Sequence, residues 1–244
     1  MSLTVQLAGI IRNTSFESLG AADVFTAKRL IADGIAVAVA GSQETAPQLF
    51  AEHVREQGGR ELCSVWGFGF KTSPLAAAYA NAVSMHVLDF EPMSSPSTHA
   101  VSPTVPVAFA LALRDGLGGR ELLTACAKGF EMQSRLLAAV DHRRESSKFH
   151  APGVVGPFGA AVVAGHLLGL DEEQLNHALA IAASRSGALR ANIGHGVKCT
   201  HCGNAAAAGL EAALLAKRGL TANTDILGHQ DGFLAAFFPT RIDR

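Results

Sequence analysis

Apolar residues recur along most of this chain at three- and four-residue intervals, the spacing of one face of an α-helix. Between residues 23 and 41, Val24, Ala27, Leu30, Ile31, Ile35 and Val39 share such a face. Thr14 followed by Glu17 reads as a capping box ahead of that helix. Ser73-Pro74 starts another, with Ser as cap and Pro at the first helical position, and the helix continues through LAAAYANAVSMHVLDF. The same period predicts helices over 104–115, 119 to about 142, 157–168, 172–184 and 204–217. Gly169 and Gly219 stand where helix-ending glycines belong, and Asp171-Glu172-Glu173 puts negative charge at a helix start.

Only residues 61–66 look strand-like, and one short β-segment makes no sheet. Alanine-rich helices without β-alternation predict an all-α domain of closely packed helices. There is no internal repeat and no Pro-, Ser- or Gly-rich linker. Irregular stretches remain at 91–103, 143–156 and 187–203, long enough inside a helical domain to suggest function.

Composition narrows the classes. The chain has 244 residues, of which 48% are hydrophobic and 17% charged, too apolar for a disordered polymer. Its 20 Lys plus Arg balance 21 Asp plus Glu, and with no basic block nucleic acid is not an expected partner. No run reads as long and apolar enough to span a bilayer, which takes about 20 residues, and the N-terminus lacks a basic head, so no membrane partner is expected. Four cysteines at irregular spacing are too few for a disulfide scaffold, which makes the cytoplasm the expected compartment.

The three irregular stretches hold much of the titratable chemistry: Asp89, Glu91 and His99; Lys148 and His150; His195, Lys198 and His201. Asp89 shares a predicted helix face with Leu75, Ala78, Ala82 and His86, so its carboxylate points into protein and needs a partner. Read plainly, Asp89 orients a neighbouring loop and His86 is a satisfied core histidine; the other reading makes them part of a site. Lys198 and His201 precede a helix start, where a carboxylate would be favoured; the alternative is a solvated loop. Cys199-x-x-Cys202, with His195 and His201 nearby, also permits zinc, although no second ligand pair accompanies it. Gly156, Gly159 and Ala160 allow close backbone approach after His150. Phe109, Phe130, Phe158, Phe233, Phe237 and Phe238 read as core or interface, and 143–145 as a solvated charge run. No GxGxxG, P-loop, GxSxG or HExxH pattern is present.

ADGIAVAVAG, NAVSMHVLDF, His99 ten residues beyond Asp89, FHAPGVVGPFGAA and Lys198-x-x-His201-x-Gly203 follow one another in order. That series resembles the helical domain of the MmgE/PrpD family over essentially the whole chain. The resemblance implies a cofactor-free pocket between an all-α domain and a smaller α/β lid, lined by Asp89, His99, His150, Lys198 and His201. It implies a cofactor-independent lyase or isomerase that dehydrates, decarboxylates or epimerises next to a carboxylate of a small di- or tricarboxylic acid. On this reading Lys198, His201 and His150 bind substrate charge, His99 transfers a proton and Asp89 orients a partner. Glu91 keeps one acid of the family's approximate DFDDT, here DFEPM, while Pro92 and Met93 replace the second Asp and the Thr. The chain ends near where the lid would begin, so a single all-α domain over 1–244, lacking the lid, is expected. A homodimer is expected as in the family. The rival reading is a truncated, catalytically silent module for dimerisation or ligand binding.

Overall fold

The most apolar stretch of the chain becomes its central helix. In the computed structural model, which describes residues 2–140 and 148–239, the helices are α1 (Leu3–Asn13), α2 (Ala21–Gly41), α3 (Thr45–Gln57), α4 (Pro74–His86), α5 (Val101–Asp115), α6 (Gly119–Ala138), α7 (Ala151–Leu168), α8 (Glu172–Ala183), α9 (Thr200–Lys217) and α10 (Phe233–Phe237). Helix α7 is buried on almost every side and is packed by α5, α6, α8 and α9. By length and hydropathy α7 does qualify to span a membrane, which revises the expectation that no segment would. The helix is already covered, 78% of it buried inside the protein.

Helix α7 starts six residues before the expected Pro157, and the backbone shows why this is tolerated. A proline inside a helix removes one N–H and orphans the carbonyl four residues back. Here that carbonyl belongs to Gly153, and it accepts the Gly187 N–H at 3.0 Å instead. Helices α5 and α9 likewise begin at Val101 and Thr200, earlier than the pattern predicts. Thus all three irregular stretches are shorter than expected, and His99, His150, Lys198 and His201 sit at or next to helix starts.

The expected start of α4 is present: Ser73 accepts the Ala76 N–H, with Pro74 in the first turn. Asp171 caps α8 reciprocally with Gln174, and Gly169 closes α7 in the left-handed region. The Thr14–Glu17 capping box is not formed. Thr14 instead ends α1, its N–H on the Ile11 carbonyl, and α2 is capped by Asp23 accepting from the Gly20 N–H. The buried stripe of α2 is Ala27, Ile31, Gly34, Ala38 and Gly41, whereas Val39 is exposed. Two glycines on that stripe admit α4 and α5 at close range: a Cβ at Gly34 would lie 2.6 Å from Val101.

The strand-like segment is β1 (Cys63–Val65), and it has a partner, β2 (Phe70–Thr72), in an antiparallel hairpin. Gly67 and Gly69 take positive φ between them. The Asn81 side chain on α4 accepts the Trp66 N–H and donates to the Ser64 carbonyl, fixing the hairpin to the bundle. Phe158, Phe233 and Phe238 are buried in the core, and Phe109, Phe130 and Phe237 pack against it. The 143–145 charge run lies outside the described residues.

Candidate active site

Four helix ends supply the titratable cluster. His86 is the last residue of α4, His99 lies one residue before the α5 N-cap Ala100, His150 is the N-cap of α7, and His201 lies in the first turn of α9. Lys198 belongs to the short 3-10 turn Gly196–Cys199 that leads into α9. The site therefore gathers the amino ends of three helices, whose unpaired N–H groups favour negative charge.

Helix α4 stops at His86, short of the expected continuation through Asp89. Asp89 takes φ 56°, a left-handed conformation that Asp and Asn tolerate better than most residues. Its carboxylate is consequently half exposed rather than turned into the protein, and it forms an ion pair with the Lys198 ammonium. The turn then carries Glu91 inward to complete burial. Glu91 Oε1 accepts from His86 Nδ1 and from the Ser102 hydroxyl at 2.7 Å, and lies 3.1 Å from His99 Nδ1. The other nitrogen of His99, Nε2, is 3.4 Å from Asp89 Oδ1. His99 is thus held between two carboxylates, one buried and one at the surface.

The remaining imidazoles continue the row. His86 stacks on His150 at 5.5 Å between ring centroids, and His150 Nδ1 is 3.0 Å from His201 Nδ1. That last contact requires one ring to donate and the other to accept. Burial, reinforced by the neighbouring His86, His201 and Lys198, pushes the His150 imidazole down to about 3. Burial lowers His86 and His201 as well. His150 and His201 therefore meet a ligand as neutral rings, and Lys198 supplies the fixed cation. Burial pushes the Glu91 carboxyl up, but hydrogen bonds from His86 and His99 outweigh it and hold Glu91 at about 2.

Two cavities adjoin the rings. One of about 310 Å3 is lined by His99 and His150, and one of about 560 Å3 by His201, Arg185 and Asn204. A larger cavity of about 750 Å3, beside Lys128 and His166, shares no residue with this cluster.

Of the residues singled out in the sequence, Asp89, Glu91, His99, His150, Lys198 and His201 come together. Lys148 and His195 do not; both are exposed. Ser102 joins the cluster without having been expected there, and so does His86, which read plainly as a satisfied core histidine. His86 lies one helical turn before Asp89, and a histidine among alanines was the available signal. Glu91, expected at substrate, lies beneath the rings with its side chain wholly buried. Its carboxylate orients the histidines.

The zinc reading does not fit. Cys199 and Cys202 are buried thiols, and the Cys199 sulfur donates to the Gly196 carbonyl at 3.0 Å. Burial raises Cys199 to about 11 and Cys202 well above its ordinary value, and among the described residues neither cysteine joins His195 or His201 in a close set of ligand atoms. A different set, His86, Asp89, Glu91 and His99, brings ligand-type atoms within 4.8 Å of one another. A cation there would have to displace Lys198 from Asp89 and His86 from Glu91. The donor set fits a proton-carrying network better than a metal centre.

Burying these groups in their native charge states makes stability pH-dependent. An unfolded histidine titrates near ~6.5, yet native His150 titrates at about 3 and His166, also depressed chiefly by burial, at about 4. Between those values the unfolded chain binds protons that the native chain refuses, so stability falls as pH drops. Glu91, ordinarily near 4.5 and here about 2, adds a loss in the same direction at lower pH. The urea midpoint is expected to decline steadily from about pH 7 to about pH 4; an unchanged midpoint would contradict the burial of neutral rings.

Residues 5–243 match the profile of the MmgE/PrpD N-terminal domain. The chain belongs to the MmgE/PrpD family. It is 34% identical over 243 residues to cis-aconitate decarboxylase of Mus musculus and equally to that of Homo sapiens, covering 97% of this chain and 50% of each relative. Cis-aconitate decarboxylase of Aspergillus terreus is 30% identical over 220 residues, covering 86% of this chain and 45% of the relative. The chain spans about half the length of the curated relatives it matches. The expected family and all-α class are thus both present.

Proposed function

We propose that this chain provides the helical half of the active site of a cofactor-independent lyase that cleaves a bond next to a carboxylate of a small unsaturated polycarboxylate, with decarboxylation of a cis-aconitate-like acid the favoured reaction. The observation that carries this reading is the Lys198–Asp89–His99–Glu91 chain: a cation and a proton carrier side by side, backed by a buried carboxylate. The relatives named as cis-aconitate decarboxylases support the choice of acid.

The chemistry follows from the charge. When the carbon–carboxylate bond breaks, carbon dioxide leaves and the electron pair stays on the substrate, spreading onto a remaining carboxylate. Lys198 stabilises that charge, and whichever of the neutral His150 and His201 accepts in their mutual contact keeps its other N–H as a donor, in a site partly shielded from water. His99 delivers a proton to the carbon, and the Glu91 contact keeps its ring in place. Asp89 holds Lys198 until a substrate carboxylate competes for it. The homodimer belongs to the same proposal, supported by exposed large apolar side chains such as Phe25, Leu49 and Leu113.

Titration calorimetry of cis-aconitate into the chain, in two buffers of different ionisation enthalpy, tests the site. An arriving polyanion raises His150 and His201, so binding is expected with net proton uptake and to strengthen as pH falls from about 8 to about 6. Carbon dioxide release from cis-aconitate reports turnover. No binding at millimolar cis-aconitate would sink the reading. Binding without turnover would favour the second one, a catalytically silent ligand-binding module, for which the exposed Met93 in place of a polar residue speaks.

A further inference from the structure

Helices α1, α6, α7 and α8 border the cavity of about 750 Å3, which the proposed reaction does not use. His166 on its wall lies 16 residues along α7 from His150, about 24 Å at ~1.5 Å per residue. Lys128 also lines it and is only 5% exposed, a rare place for a lysine. Its ammonium donates to the Arg12 carbonyl at 3.0 Å and stands 3.3 Å from His166 Nδ1. His166 is depressed to about 4, chiefly by burial, so its ring is neutral and accepts there. Two of the three ammonium N–H donors are thereby engaged, and both acceptors are uncharged.

Burial, then the nearby Arg12 guanidinium, push Lys128 below its ordinary value, and among the described residues no carboxylate pairs with it. A buried cation held without an anion is unfavourable. A bound anion would take the third N–H and supply the missing charge. Arg12 and Arg120 also reach the cavity, as do Glu17 and Glu121, all four exposed to solvent. Three cations against two carboxylates leave one positive charge, which matches a monoanion better than a polycarboxylate. Much of the remaining wall is apolar: Ile11, Val162, Leu170 and Leu175 are buried, and Phe16 packs against the core. Thr14 and Thr124 already donate their hydroxyls to the Ile10 and Arg120 carbonyls. Such a wall favours methylenes leaving water over further polar groups.

We propose that this cavity is a second ligand site, for a monocarboxylate with an apolar body, whose carboxylate pairs with the Lys128 ammonium. The body lies along Ile11, Val162, Leu170 and Leu175. The site shares no residue with the histidine cluster and does not depend on the reaction assigned to it.

Calorimetric titration of the full chain with octanoate, butanoate, octanol and octylamine tests it. Octanoate is expected to bind, butanoate about a hundredfold and octanol about tenfold more weakly, and octylammonium not at all. Lys128→Met keeps a long side chain without the charge. It is expected to lower octanoate affinity about tenfold and leave octanol affinity unchanged, which also reports that the cavity is intact. Lys198→Met is expected to leave octanoate affinity unchanged. No octanoate binding at millimolar concentration would overturn the site, and so would octanol or octylamine binding as tightly as octanoate. Equal octanoate affinity of Lys128→Met and the parent would do the same. Butanoate binding as tightly as octanoate would overturn the apolar half of the ligand. Loss of octanoate binding in Lys198→Met would place octanoate among the histidines and remove the second site.

Discussion

Lys198→Met is expected to weaken cis-aconitate binding about a hundredfold while the thermal midpoint stays near that of the parent chain. Lys198 is the cation that stands beside Asp89 and His99 in the cluster, whereas His150 and His201 are held neutral by burial. A charge-assisted hydrogen bond to a carboxylate contributes about 1.5–3 kcal/mol net, and about 1.4 kcal/mol corresponds to tenfold. Where the chain turns over, the loss in rate is expected to be larger. Charge that develops only in the transition state leans on the same ammonium, and one such donor is commonly worth a hundred- to a thousandfold. Stability is little affected because Asp89, the partner left behind, is half exposed and can be hydrated. Lys198→Arg should not restore full affinity, since a planar fork cannot occupy the position of a compact ammonium. Lys148→Met, a change at an exposed lysine in the neighbouring stretch, serves as the control. Equal affinity of Lys198→Met and the parent for cis-aconitate would remove the basis of the proposed site.

The second large effect concerns the bundle itself. Gly209→Ala in α9 is expected to cost about 2 kcal/mol, against the ordinary helix preference for alanine of about 1 kcal/mol. A Cβ at Gly209 would sit well inside van der Waals contact with Ala160 and with the Pro157 carbonyl on α7. Backbone cannot step aside as a flexible side chain can. The α7–α9 contact also carries His150 and His201 at its amino end. The loss of stability should therefore come with a loss of cis-aconitate affinity. Gly9→Ala in α1 is the opposite case: nothing lies within 4 Å of its Cβ position, so a gain of up to about 1 kcal/mol is expected. Calorimetric unfolding of the two variants decides the matter. Shifts of the same sign would show that packing at Gly209 is not what limits that position.

Much of the helical frame was legible because it depends on local rules. The Ser73-Pro74 start, the Asp171 cap and the Gly169 stop follow from backbone groups that must be satisfied within a turn or two of chain. The buried stripe of α2 was misjudged at Val39 because the helix faces α4 and α5 through Gly34 and Gly41, and a hydrophobic pattern is blind to glycine. The early start of α7 was hidden for a related reason: Pro157 is tolerated only because Gly187, thirty residues on, supplies the missing donor.

The candidate site divides along the same line. Asp89, Glu91, His99, His150, Lys198 and His201 stood out as titratable groups of the irregular stretches, and the resemblance to the MmgE/PrpD helical domain placed all but Glu91 in one pocket. Their roles were not legible. Whether a histidine is a cation or a neutral donor depends on how much water reaches it, and Glu91 became a support because the turn after α4 drives it under the rings. Local chemistry along the chain determined which groups were available and that the scaffold would be helical. Tertiary packing alone decided their distances, their exposure and hence their protonation, because desolvation and charge coupling arise from neighbours far away in the chain.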